Sequence, residues 1–420
     1  MKRNLYIVGL ILLTFFVISF LTNIIGPMVP DIIESFDLSL TLVALLPFAF
    51  FIAYGVMSIP SGILVEQYGE KKVMIWAFII ATFGAFLFAL VPNYIVYIVS
   101  LFLIGCSMAM LQVAINPLLR VAGGEEHFAF NSVLAQLFFG LASFLSPLVY
   151  SYLVLNLTGR GDASNLVLNT LGKIVPGNLP WISLYWLFAV LALIMVLVIR
   201  ISRFPGVERK EDERVGALQT HLDLLKNPMV ILYFLGIFAY VGTEQGVANW
   251  ISEFLNTYHG VDPQTTGART VALFWGLMTA GTMLGLVLLK FFDSRKVLIG
   301  FSIAALASLT FALFASARIA LIAFPMVGFC ASVMWSIILS LALNSVTSHH
   351  GSFSGILVTG IAGGAIVPLI VGGIGDLVDL KSGMLFLYIT LGYILSIGFW
   401  SKPLINNETI AMRRKTAGNG

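Results

Sequence analysis

Long apolar runs, separated by short polar breaks rich in Gly, Pro or charge, make up almost the whole chain. They predict helices over 5–29, 40–65, 73–91, 94–120, 128–155, 180–200, 228–256, 267–290, 297–315, 318–345, 353–375 and 383–402. Crossing the hydrocarbon layer takes ~20 mostly apolar residues, and each run meets or nearly meets that length. The runs at 318–345 and 353–375 are rich in Gly and Ser yet remain long enough. Lys2 and Arg3 precede the first run as in a secretory leader, but no small-residue cleavage site follows. The run passes through Gly26 and Pro27 instead and reads as the first span.

Charge orients these helices. If each crosses once from an N-terminus in the cytoplasm, only Arg160, Lys173, Arg269, Arg318 and Lys381 of the 23 basic residues fall outside. The cytoplasmic side holds the rest, as the positive-inside rule requires. Both termini are expected in the cytoplasm, in a multi-pass protein of the inner membrane. The charged stretch 201–227 reads as a cytoplasmic linker between bundles at 1–200 and 228–402, followed by a tail at 403–420. The segment 156–179 reads as a polar outer loop.

Composition narrows the class. The 420 residues are 59% hydrophobic and 10% charged, with mean hydropathy +0.98. A water-soluble fold of this size needs more polar surface than that, whereas lipid solvates apolar side chains directly. Cys106 and Cys330 lie in apolar runs and read as small buried residues. No Walker motif, zinc spacing, dinucleotide fingerprint or nucleophile–base set is present. ATP-driven pumping, catalysis, resident cofactors and nucleic-acid binding are therefore not expected. His349 and His350 read as a turn without a partner cluster for a metal.

An internal repeat runs through the sequence. Gly62–Lys72, between the second and third runs, corresponds after a shift of about 223 residues to Gly285–Arg295. The same shift places His127, Phe130 and Gly140 on His350, Phe353 and Gly363. Duplicated halves with a site at their interface suit alternating access.

Gly62, Glu66, Gly69, Lys71 and Lys72 together resemble the loop motif of the major facilitator superfamily, with Glu66 in place of the usual Asp. The resemblance implies an all-α fold of 12 transmembrane helices in two pseudo-symmetric six-helix bundles, acting as a monomer. It also implies that this loop stabilises one gating state. Four further segments resemble the fucose–galactose–glucose:cation symporter family. They are Gln112-Val-Ala-Ile-Asn116-Pro117 with Asn131–Gln136, Tyr240–Glu244 with Asn249-Trp250, and Gly363–Pro368 before Gly375-Asp376. Proton-coupled members of that family carry carboxylates on helix one and at the start of the helix-four motif. The matching positions here are the amides Asn23 and Gln112, which cannot exchange a proton near neutral pH.

An ionisable group inside hydrocarbon is costly and marks function by default. Counted from Pro228 at 1.5 Å per residue, Glu244 lies ~24 Å along its helix and is the one carboxylate expected at that depth. It is the candidate for binding the coupling ion, Na⁺ or H⁺. A sugar also needs paired donors and acceptors and a flat apolar face. Asn23, Gln112, Asn116, Gln136, Gln245, Asn249 and Asn344 offer the amides, with Gln112/Asn116 and Gln245/Asn249 each sharing a helix face. Trp250, Trp275 and Trp335 offer rings. Each amide has the alternative role of bonding helix to helix. The expected function is cation-coupled import of a hexose-like sugar; the alternatives are an uncoupled carrier or exporter of another small neutral solute, or a non-transporting sensor.

Overall fold

The computed structural model describes residues 4–124, 128–160, 165–204, 223–345 and 350–404. Most of the expected linker 201–227 and tail 403–420 lies outside the described residues, as do His127 and His349. Among the described residues there is no strand. Twelve helical spans are long and apolar enough to cross a membrane: span 1 Leu5–Phe36, span 2 Leu40–Tyr68, span 3 Glu70–Leu90, span 4 Tyr94–Gly123, span 5 Asn131–Thr158, span 6 Pro180–Ile201, span 7 Pro228–Ala248, span 8 Pro263–Phe291, span 9 Ser294–Phe314, span 10 Ala317–Leu343, span 11 Phe353–Leu377 and span 12 Leu380–Trp400. If each crosses once, the start of span 1 and the end of span 12 lie on one side, here called the termini face; the opposite side is the far face.

Helices dominate because a backbone in lipid must satisfy its own hydrogen bonds. Polar residues at the breaks start them. Ser39 accepts from the Leu42 N–H, Asn93 from Val96, Asn227 from Met229 and Asp293 from Arg295. These side chains supply acceptors for N–H groups that have no partner within the helix. Outward-facing residues are themselves apolar: Phe83, Ile322 and Ile389 are each at least 60% exposed. That surface suits lipid and not water.

The duplication is visible in the bounds. A shift of about 223 residues moves Tyr68 onto Phe291 and Tyr94 onto Ala317, each an end or start of the corresponding span. Several expected continuous helices are interrupted, spans 11 and 12 among them. Span 1 consists of Leu5–Thr22 and Ile25–Phe36, and it runs beyond the expected end at 29. Span 7 ends at Ala248, and a second helix, Ile251–His259, continues its course. Span 10 breaks between Ala331 and Met334. The expected loop at 156–179 contains a short helix, Leu166–Ile174, started by the Asn165 side chain.

The two halves meet along spans 2 and 11, along spans 5 and 8, and where spans 1 and 7 break. Glycines allow close approach. A Cβ on Gly372 would lie 2.6 Å from the Leu40 carbonyl oxygen, and one on Gly26 would lie 2.3 Å from that of Ala248. Hydrogen bonds join the halves at the far face. Asp376 of span 11 accepts from the Leu40 and Thr41 N–H groups of span 2, and Asp31 of span 1 accepts from Gln264 of span 8. The far face is therefore closed.

Candidate functional site

Glu244 sits four residues after Tyr240 on span 7, so the two share a helix face. Gln245 Nε2 donates to Glu244 Oε1 at 3.1 Å. Glu244 is partly exposed, whereas Gln245 is buried. Trp335 of span 10 lies 6.0 Å from the Tyr240 ring, centroid to centroid. A neutral donor therefore steadies a carboxylate that keeps lone pairs free for a cation or a proton.

Just beyond, the helix is interrupted at Asn249 and Trp250. Their backbone N–H groups turn back to the carbonyls of Gln245 and Val247. Their side chains, 5% and 1% exposed, leave Asn249 Nδ2 and Trp250 Nε1 without a hydrogen-bond partner. Trp275 Nε1 on span 8 is in the same condition. A buried donor left unpaired costs about 1–3 kcal/mol, so such groups call for a partner.

Gly364 of span 11 marks where three helices converge. A Cβ there would contact Gln245 Cγ and Val241 Cγ1 of span 7 at 3.1 Å and Phe51 of span 2 at 3.2 Å. One turn along span 2 from Phe51, the Tyr54 hydroxyl donates to Gln112 Oε1 on span 4. That bond leaves the Gln112 NH₂ group, two donors, to face elsewhere. Gln245 of one half thus comes close to Phe51 of the other beside Gly364, one turn of span 2 from the Tyr54–Gln112 pair. Asn116 and Gln136 are exposed within their spans. Asn116 lies ~6 Å closer to the termini face than Gln112 along span 4.

Two expected site residues stand apart. Asn23 Nδ2 donates to Ser143 Oγ of span 5 at 2.9 Å and to Ser19 Oγ at 3.4 Å, within a buried cluster that ties span 1 to span 5. Asn344 follows the last turn of span 10 at the termini face, where its Nδ2 reaches Ser340 Oγ at 3.4 Å and its carbonyl accepts from the Leu404 N–H. The expected loop is a tight junction: Gly62, buried, and Glu66, exposed, lie in the last turns of span 2, Lys71 and Lys72 in the first turn of span 3, with Lys72 exposed, and only Gly69 between them. Gly69 adopts φ 82°, a conformation that L side chains rarely take. Lys71 Nζ donates to the carbonyls of Arg200 and Ser202 at 2.9 and 2.8 Å. It thereby places positive charge at the negative end of span 6.

A second carboxylate, buried, lies toward the far face. Asp31 is 7% exposed inside span 1 and accepts from Tyr150 Oη at 2.6 Å and Gln264 Nε2 at 3.1 Å. Ending the first helix at 29 hid it. Tyr54 was also missed; a tyrosine in the middle of an apolar span, four residues from Ser58, was the available signal. Among the described residues, no group of three or more His, Cys, Asp or Glu is placed to hold a metal.

Comparison with known proteins agrees with this architecture. The sequence profile of the Major Facilitator Superfamily matches residues 11–369. A glucose/galactose transporter of Brucella abortus is 31% identical over 395 residues, covering 92% of each chain. The L-fucose-proton symporter of Escherichia coli is 26% identical over 381 residues, covering 86% of this chain and 85% of its own. Among solved structures, a bacterial homolog of the human lysosomal transporter Spinster, inward-facing and occupied, superposes with a TM-score of 0.79 at 16% identity, over 96% of this chain and 97% of its own. A profile spanning all but the ends of the chain, the duplicated twelve-span fold and full-length relatives lead to one assignment: the chain belongs to the major facilitator superfamily and is similar to its fucose–galactose–glucose:cation symporters.

Proposed function

We propose that the protein is a secondary active transporter that imports a hexose-like sugar of the glucose, galactose or fucose class by alternating access, coupled to Na⁺ or H⁺. The observation that carries this reading is the Tyr240–Glu244–Gln245 cluster, a carboxylate kept partly accessible where the two halves converge. The names of the Brucella and E. coli relatives support the substrate class.

In this reading Glu244 binds the coupling ion; a hard cation such as Na⁺ takes oxygen ligands, and a proton needs only the carboxylate. Gln112, Asn116, Gln136, Gln245 and Asn249 supply amides to the sugar hydroxyls, and Trp250 packs on the ring face. The orphaned Asn249 and Trp250 donors are the ones a sugar oxygen would satisfy. Asn23 and Asn344, whose side chains are already engaged, belong to helix packing. Gly62, Glu66, Gly69, Lys71 and Lys72 form the loop that steadies one gating state. The abundance of basic residues on the termini face assigns it to the cytoplasm. The protein would work as a monomer in the inner membrane, importing with the far face outward.

Na⁺ is favoured over H⁺ because the positions that match the carboxylates of proton-coupled family members are the amides Asn23 and Gln112, which do not titrate. Radiolabelled hexose uptake into proteoliposomes under inward Na⁺, inward H⁺ or no gradient tests this. Accumulation driven by Na⁺ is expected. Accumulation driven by H⁺ keeps the sugar and revises the ion, and equal uptake without a gradient makes the protein an uncoupled carrier. Absence of hexose binding and flux under every condition would sink the sugar assignment.

A further inference from the structure

At the far face the halves exchange carboxylates. Asp376, near the end of span 11, accepts hydrogen bonds from the Leu40 and Thr41 N–H groups, both at 2.8 Å. Those donors open span 2 in the other half. Span 2 has its own cap, Ser39, but that side chain reaches the Leu42 N–H, at 3.3 Å. The first N–H groups of a helix lack internal acceptors and form the positive end of its dipole. A carboxylate holding two of them makes a pair of charge-assisted bonds.

The reciprocal contact runs the other way. Asp31 of span 1 accepts from Gln264 Nε2 at 3.1 Å, in the first turn of span 8. Tyr150 Oη of span 5 fixes Asp31 from its own half at 2.6 Å. Spans 2 and 8 correspond in the repeat. Each half therefore lends one acid to the start of the equivalent helix in the other half.

We infer that Asp376 and Asp31 are a reciprocal pair of latches that position the halves with the far face closed, and that both release each time that face opens. The inference rests on the alternating-access reading but not on the identity of the solute. The two latches differ in strength. Asp376 is exposed, so water replaces its partners as it separates. Asp31 is buried, and on separation its Oδ1 must find water or remain short of a partner. The Asp31 latch is thus the stronger of the two.

The test uses the full chain in lipid nanodiscs, without sugar. Cys106 and Cys330 are replaced by Ser, and spin labels are placed at Val91→Cys and Ser316→Cys. Both sites are exposed at the far face, on opposite halves. Distance distributions are compared for the labelled parent, Asp376→Ala, Gln264→Ala and Asn227→Ala. Loss of a hydrogen bond to a charged group predicts that Asp376→Ala and Gln264→Ala each raise the ratio of long to short distances by about tenfold or more, Gln264→Ala the further of the two. Asn227→Ala removes a cap of span 7 at the termini face, away from both latches, so it leaves the ratio unchanged while lowering thermal stability. An unchanged ratio in both latch variants overturns the inference, and a shift in only one overturns the reciprocal arrangement. A shift in both combined with no hexose transport would retain the latches and remove the sugar reading.

Discussion

Gly26 of span 1 lies directly against the carbonyl of Ala248 on span 7, at the point where both helices are broken. A Cβ built on Gly26 would sit 2.3 Å from that oxygen and 3.1 Å from its carbon. Backbone is the obstacle, so no side-chain rotation relieves the clash. The contact exists only while the far face is closed. Gly26→Ala is expected to hold that face open and to reduce steady-state uptake by at least about tenfold, with the protein still folded. A clash relieved only by moving backbone costs typically 1–3 kcal/mol. Transport at the parent rate would show that the two breaks separate freely.

Glu244→Gln retains a group that accepts from Gln245 but removes its charge. Concentrative uptake is expected to fall to background, while sugar exchange across the membrane at equal concentrations persists. Measuring both in the same proteoliposomes separates loss of coupling from loss of binding. Loss of exchange as well would make Glu244 part of the sugar contact.

Tyr54→Phe leaves Gln112 Oε1 without its donor and frees the amide to rotate. A neutral hydrogen bond is worth about 1 kcal/mol, so KM is expected to rise about fivefold with little change in maximal rate. Gln112→Ala should raise it further. If Tyr54→Phe leaves KM unchanged, the Gln112 amide does not face the sugar.

Lys71→Met removes two bonds to the carbonyls that end span 6. Charge at that end of a helix is worth about 0.3–1 kcal/mol where exposed, and the lost hydrogen bonds add a comparable amount. A fall of a few degrees in Tm is expected, with Lys71→Arg intermediate. A Tm equal to the parent's would place the loop's role in gating alone.

The number of spans and their pairing into halves were legible because a bilayer imposes a length that apolar runs report directly. The breaks were not. Asn23, Asn249 and Ser332 sit in runs that stay apolar on both sides, and what stops the helix there is tertiary. The Asn23 side chain is drawn to Ser143, and Gly26 must fit under Ala248. The first run was expected to end at 29. Pro27 falls in the first turn of a second helix, Ile25–Phe36, where a missing N–H costs nothing. That reset carried Asp31 into the span and out of the expected loop. For the site, Glu244 was legible from depth alone, and its neighbour Gln245 from sharing the helix. The approach of Tyr54 to Gln112 links residues 58 positions apart and depends on how spans 2 and 4 pack. Sequence spacing holds no record of that.

If Glu244 binds the coupling cation as proposed, the amide Gln112 in span 4 has an electrical consequence. Gln112 carries the same charge, zero, in every state, so in that reading the site changes charge only at Glu244. With a cation bound and an uncharged sugar aboard, the loaded site is neutral; emptied, it carries one negative charge. Membrane voltage then does no work on the loaded crossing and acts on the empty return. Each 100 mV contributes up to ~2.3 kcal/mol per charge carried fully across. With the interior negative, the field drives the vacant carboxylate outward and resets the carrier for its next load.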